Sequence, residues 1–290
     1  MKFGIGLNPQ NNIGHITKLS QIVEDAGFKY LWLCDYPNIE IYPYLKSIAE
    51  NTETIKFGHG VTNSYIKSPL TILTEIEDIN ELSDKRAILG LSVGSKQIAD
   101  EMGITWDNPI DELKQTIGEI SKNCDTPIYV EAQSKNLVEK LNENIEGFLV
   151  PASNPKDFRK LIPGNNKLDI GAYTATSIGY DEKVTKNASK LVVAFIIAGS
   201  SPDVLKRHNT SPETCSKIKI SLAKGAINTA VKYIDDDLLN EYSITGTPYD
   251  IIEKINELER VGVGQFIVSY PIGQNPEESL KLFKDVISTY

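Results

Sequence analysis

Cysteine is scarce in this chain, and what there is cannot staple it. Cys34, Cys124 and Cys215 are odd in number, far apart, and form no C-x-x-C pair. That argues against a disulfide framework and for reduced thiols. Histidine is as sparse. His15, His59 and His208 are scattered, with no His-x-x-x-His spacing and no carboxylate pairing beside them, so no metal site is expected. Positive charge is nowhere concentrated: 30 Lys and Arg face 39 Asp and Glu, a net charge of −9. A surface that tracks nucleic-acid phosphates is therefore not expected. No apolar run approaches the ~20 residues that cross a bilayer, so no membrane partner is expected; the longest run, 191–198, reads as a short buried helix. The chain runs straight into a strand-like segment without a signal pattern, and a cytoplasmic protein is expected. There is no Walker loop, no G-x-S-x-G elbow and no G-x-G-x-x-G fingerprint. Nor is there a fixed-period repeat, a low-complexity tract or a linker.

What is present is alternation. Apolar, β-rich runs recur at 2–7, 30–34, 56–60, 87–92, 127–131, 147–151, 169–174 and 265–269. They are apolar on nearly every residue, as strands buried on both faces should be. Helical spacing fills the intervals. One face is expected from Ile16, Leu19, Ile22, Val23 and Ala26, another from Leu70, Leu73, Ile76, Ile79 and Leu82, and another from Ile110, Leu113, Ile117 and Ile120. The pattern returns at Ile251, Ile255 and Leu258 and at Leu280, Phe283 and Val286. Ser68-Pro69, Asn154-Pro155 and Thr247-Pro248 each place a cap before a proline suited to the first turn, and Gly27 suits a helix stop. Eight such units predict a closed (β/α)8 TIM barrel in one domain, residues 1–290, since closure removes both sheet edges. An open doubly wound sheet is the alternative. Segment 179–264 is expected to hold several helices that cap one side of the barrel.

In such barrels the carboxyl ends of the strands carry the site. Asp35 ends the second strand, as a functional acid or as a loop acid bonding nearby amides. Gly58-His59-Gly60-Val61-Thr62-Asn63 ends the third; its glycines suit either a turn with positive φ or close approach to a flat ligand, and His59 reads as structural. Ser92-Val93-Gly94-Ser95 ends the fourth. Glu131-Ala132-Gln133-Ser134 ends the fifth, where Gln133, Ser134 and free amides could hold a phosphate or Ser134 could simply cap a helix. Glu131 would oppose a phosphate if it pointed inward. Tyr270, before Pro271-Ile272-Gly273, could stack on a ligand or fill the rim. These residues point to a site for a planar or phosphorylated small molecule and do not specify a reaction.

Several stretches resemble the luciferase-like superfamily: Ala26-Gly27-Phe28-Lys29-Tyr30-Leu31-Trp32-Leu33-Cys34-Asp35, the stretch from Thr54 to Tyr65, and Leu82-Ser83 with Leu89-Gly90-Leu91. Ala132-Gln133, Ala152-Ser153-Asn154-Pro155, Ala172-Tyr173-Thr174, Val192-Val193-Ala194-Phe195-Ile196, Gly246-Thr247-Pro248 and Pro271-Ile272-Gly273 narrow the resemblance to the methylenetetrahydromethanopterin reductases. It covers nearly the whole chain. It implies a barrel that binds coenzyme F-420, a deazaflavin, and passes a hydride to a substrate of the pterin class in one-carbon metabolism and methanogenesis. A homodimer or homotetramer is implied too. So is a non-proline cis peptide at Gly60-Val61, with Asp35, Gly60, Val61, Thr62, Asn63, Gly94, Ser95, Ala132, Gln133 and Ser134 around the cofactor. The chain departs from the family pattern at Gly6, Tyr36, Ser95 and Glu131, and lacks a segment between Trp106 and Pro127. Two other readings share the barrel: a cofactor-binding or regulatory paralogue without turnover, and a flavin-dependent monooxygenase holding FMN.

Overall fold

The eight apolar runs become eight parallel strands, and the first closes on the last. In the computed structural model, which describes residues 1–9, 12–36, 38–164 and 167–290, these are β1 (Lys2–Leu7), β2 (Tyr30–Leu33), β3 (Lys56–Thr62), β4 (Ala87–Leu91), β5 (Ile128–Glu131), β6 (Gly147–Val150), β7 (Asp169–Ile178) and, after the short β8 (Ile244–Gly246), β9 (Gln265–Ile272). β1 to β7 pair in sequence order, β9 lies between β7 and β1, and the ring is complete. A TIM barrel is thus the architecture, and the open sheet is ruled out. β8 stands outside the ring, paired with the carboxyl half of β7.

Strand periodicity sorts the side chains into two cores. Phe3, Ile5 and Leu7 of β1, Phe57 of β3 and Phe266 and Val268 of β9 face outward, into the layer shared with the helices. Trp32, Ile88, Tyr129, Leu149 and Ile267 face inward, with Tyr30, Val61 and Tyr173 packed on them. An eight-stranded barrel is only just wide enough for side chains, so inward aromatics require small neighbours. Gly4, Gly58, Gly60, Gly90, Gly147 and Gly171 supply that room. Trp32 stacks with Tyr30 at 6.4 Å and meets Tyr129 edge-on at 5.2 Å, and its Nε1 donates to Gln265 Oε1 at 3.3 Å. A third core lies under the helices after β7, around Val193, Ala194, Ile197, Ile218, Leu239 and Tyr242.

The floor of the barrel is held by polar staples. Asp169 accepts from Lys2 Nζ and Tyr129 Oη. Arg86 donates to the carbonyls of Ser83, Ala49, Thr52 and Ile55 and to Thr52 Oγ1, and lies over the Phe57 ring. A lysine cannot reproduce that fork. Arg86→Lys is expected to cost about 2–3 kcal/mol, because it strands part-buried carbonyls; a shift of the urea midpoint without a change in slope checks it.

Ser68, Asn154 and Thr247 cap their helices, each before a proline, and Gly27 follows the first helix at φ +97°. Two expectations need correction. Leu70 and Leu82 are exposed, and the helix Pro69–Ser83 buries Ile72, Ile76, Ile79 and Ser83 instead. The run 191–198 is the end of a longer helix, Glu182–Gly199, whose Phe195 is 58% exposed. Among the described residues no helix is long and apolar enough to cross a membrane.

Candidate functional site

The site is built at the carboxyl ends of the strands, where β3 is irregular. The Gly60–Val61 peptide is cis, and the β3–β4 register slips between His59 and Thr62. Gly58 and Gly60 do not have positive φ. They sit within the strand, and their use is close approach: a Cβ on Gly60 would collide with Trp32. A second cis peptide, Tyr270–Pro271, lies at the rim on β9.

Beside the irregular turn, three buried polar atoms, Asp35 Oδ2, Thr62 Oγ1 and His59 Nε2, make no well-formed hydrogen bond within the protein, although the Thr62 hydroxyl is near enough to the Asp35 carboxyl to favour its charged form. Buried polar atoms left so incompletely paired are rare and leave room for a further partner. Burial pushes the Asp35 carboxyl up, while Thr62, His59 and Lys67 favour its charged form. Behind Asp35, Lys67 Nζ donates to both Glu75 oxygens at 3.0 Å and reaches Glu40 at 3.4 Å. His59 Nε2 lies 3.3 Å from Glu75 Oε2. Burial would raise the Glu75 carboxyl, but His59 and Lys67 outweigh it and hold it below the usual range.

Tyr173 reaches across the mouth from β7. Its hydroxyl stands over Gly6 of β1, where any Cβ would collide with the ring, and lies 3.7 Å from Cys34 Sγ. Burial raises both Cys34 and Tyr173. Gly6→Ala is expected to cost about 1–3 kcal/mol by overpacking. Adding Tyr173→Ala should recover part of that loss, and melts of the single and double variants check the coupling.

Next to Tyr173 opens a cavity of about 470 Å³. Glu131, Ala132 and Gln133 form one wall, with Tyr173, Ala175 and Ser269 at the barrel side. Val192, Ile196, Val204 and Tyr242 come from the later helices. Its far wall is a buried ionic network. His208 Nδ1 lies 2.7 Å from Glu241 and Nε2 3.0 Å from Asp157, which also takes Arg207 at 2.6 Å. Glu241 pairs with Lys156 as well. His208 is therefore paired with two carboxylates and His59 lies near one, although no spacing in the sequence set a carboxylate beside either. Their partners lie too far along the chain for spacing to reveal them. Among the described residues no group of three His, Cys, Asp or Glu is arranged to hold a metal ion.

The sequence-chosen residues fall into three places. Asp35, Gly60, Val61 and Thr62 flank the irregular turn. Asn63, Gly94 and Ser95 border a small pocket with Trp106. There Asn63 Oδ1 accepts from the amides of Tyr65 and Ile66, a turn-forming role. Ala132 and Gln133 line the cavity, while Ser134 Oγ accepts from the Leu137 amide as a helix cap. Sequence reasoning missed Tyr173, Cys34, His208, Asp157 and Glu241. Tyr173 carried a signal, as an aromatic two residues from Gly171 on an apolar strand; the others did not.

The luciferase-like monooxygenase family matches residues 1–122. A 5,10-methylenetetrahydromethanopterin reductase of Archaeoglobus fulgidus is 34% identical over 328 aligned positions, covering 99% of each chain. One from Methanolobus tindarius is 35% identical, covering 99% of this chain and 100% of its own. Alignment positions beyond this chain's 290 residues are segments it omits. Among solved structures, the coenzyme F420-dependent tetrahydromethanopterin reductase of Methanopyrus kandleri superposes with a TM-score of 0.94 at 31% identity, covering 100% of this chain and 99% of the other. An F420-dependent secondary alcohol dehydrogenase shares the fold at a TM-score of 0.77 and 12% identity.

Proposed function

This chain belongs to the 5,10-methylenetetrahydromethanopterin reductase family, and we propose that it is an F-420-dependent oxidoreductase that reduces methylene-tetrahydromethanopterin, or a close relative, to the methyl form. The observation that carries the reading is the under-paired buried carboxyl of Asp35 and hydroxyl of Thr62 beside the Gly60–Val61 turn. A ligand with a polar edge would complete the hydrogen bonds that these atoms leave open.

The residues fit a flat cofactor. Gly60 and Val61 offer backbone for close approach, Asp35 and Thr62 offer hydrogen-bonding atoms, and the cavity beside Tyr173 at the same barrel mouth is of a size that small ligands fill. The deazaflavin, when bound, supplies the hydride; the protein supplies position and dryness. Val150, Leu161, Val192 and Ile196 give the cavity apolar walls that keep water out. Lys67 and His59 act electrostatically on Asp35 and favour its charged form. Gln133 and Ala132 border the same cavity from just after β5, within reach of a ligand's polar edge. The proposal extends to a single working domain over 1–290, acting as a homo-oligomer in the cytoplasm.

Anaerobic assay with reduced F-420 and methylene-tetrahydromethanopterin tests it. Oxidation of the cofactor that depends on the pterin is expected. Binding of both ligands without any turnover would instead favour a regulatory paralogue.

A further inference from the structure

We infer that Glu131 is the proton donor of the reaction, giving its carboxyl proton to the substrate nitrogen that is freed as the methylene carbon becomes a methyl group. This rests on the reductase reading above. Glu131 is the last residue of β5. Side chains on that strand alternate, with Tyr129 inside the barrel and Val130 outside, so Glu131 is aimed at the mouth. There it forms part of the wall of the 470 Å³ cavity, beside Tyr173 and Ser269.

Its surroundings suit an acid kept neutral. Its one described hydrogen bond is with an amide, Gln133 Nε2, at 2.9 Å, and no described cation pairs with it. Cys34, just after β2, and Tyr173 of β7 face it, and burial raises both. Across the cavity the charged groups are Asp157, Arg207, His208 and Glu241, and these are already engaged with one another. Burial raises the Glu131 carboxyl, and the Gln133 bond offsets only part of the rise. Burial raises the other acid at the mouth, Asp35, as well, but there Thr62, His59 and Lys67 offset part of the rise.

The substrate's methylene carbon bridges two nitrogens. As hydride adds to that carbon, one carbon–nitrogen bond breaks and its electron pair stays on nitrogen. That nitrogen takes the proton from Glu131. The carboxylate left behind regains a proton from solvent, which receives the one lost when the cofactor is oxidised. Two electrons pass from cofactor to substrate, and protons balance over the cycle.

Glu131→Gln keeps the shape and the cavity wall while removing the proton. It is expected to bind F-420 as wild type does and to lose about 10²–10⁴ in kcat. Wild-type kcat should fall as pH rises through the acid's pKa, and the variant should lose that limb. A second readout does not need turnover: infrared difference spectra at neutral pH should show a protonated carboxyl that vanishes in Glu131→Gln. Glu131→Asp, with the carboxyl drawn back, should fall between the two. An active wild type with an equally active Glu131→Gln overturns this proposal alone, as does the absence of a protonated carboxyl band. A wild type that neither binds F-420 nor turns over overturns the reductase reading, and this proposal with it.

Discussion

Gly58→Ala is expected to bring the protein to the edge of unfolding. A Cβ at this position would fall well inside van der Waals contact with the Ile88 carbonyl oxygen. That oxygen is backbone, on the strand paired with Gly58, so the clash cannot be relieved by a rotamer change. Either β3 and β4 separate or the ring distorts. Overpacking alone costs about 1–3 kcal/mol and sometimes more, and each ladder bond lost adds about 1 kcal/mol. Set against a total stability of about 5–15 kcal/mol, the melting point should drop by roughly 10 °C or more, or soluble protein should fail to accumulate. Gly118 supplies the control. It lies within the helix Pro109–Asn123, and a Cβ added there would meet nothing within 4 Å. Gly118→Ala should stabilise by about 0.5–1 kcal/mol. If both variants melt together, the account of the barrel interior is wrong.

Asp35→Ala is expected to weaken F-420 binding by about 10- to 100-fold, the worth of a hydrogen bond to a charged group, ~1.5–3 kcal/mol. The same residue should carry a stability cost. Its folded pKa is raised, so the protonated form is the one folding favours. The corresponding stability is complete below the unfolded pKa and is lost as pH rises through the folded value. At neutral pH the free protein therefore holds an unfavourable carboxylate. Asp35→Asn, of the same shape, should melt at or above wild type at neutral pH, with the gap closing in acid. Unchanged affinity in Asp35→Ala together with lower stability in Asp35→Asn would make Asp35 a structural acid. Affinity traded against stability is the pattern of a binding group.

Much of this was legible in the chain because local signals and the global fold agree. β-rich runs buried on both faces announce parallel strands, and Ser68, Asn154 and Thr247 before prolines announce helix starts. The resemblance placed the cis peptide at Gly60–Val61. The helix Pro69–Ser83 misled because apolar residues occupy two of its faces, and only packing shows that Ile72 is chosen over Leu70. β8 is three residues long and pairs only with the end of β7, too little for a periodicity to mark. The polar networks were illegible for a different reason. His208 meets Asp157 and Glu241, and Tyr173 meets Gly6 and Cys34, only once the barrel has closed and the later helices have folded over it. Spacing along the chain carries no trace of such pairs. Glu131 was visible as an acid at a strand end, but its inward direction depended on the register of β5.

Spectral titration of the purified protein with coenzyme F-420 tests the central claim most directly. Saturable binding at or below tens of micromolar is expected, with a perturbed deazaflavin spectrum that Asp35→Ala weakens. Absence of binding at that concentration by the folded wild-type protein would contradict the claim that this barrel mouth holds a deazaflavin.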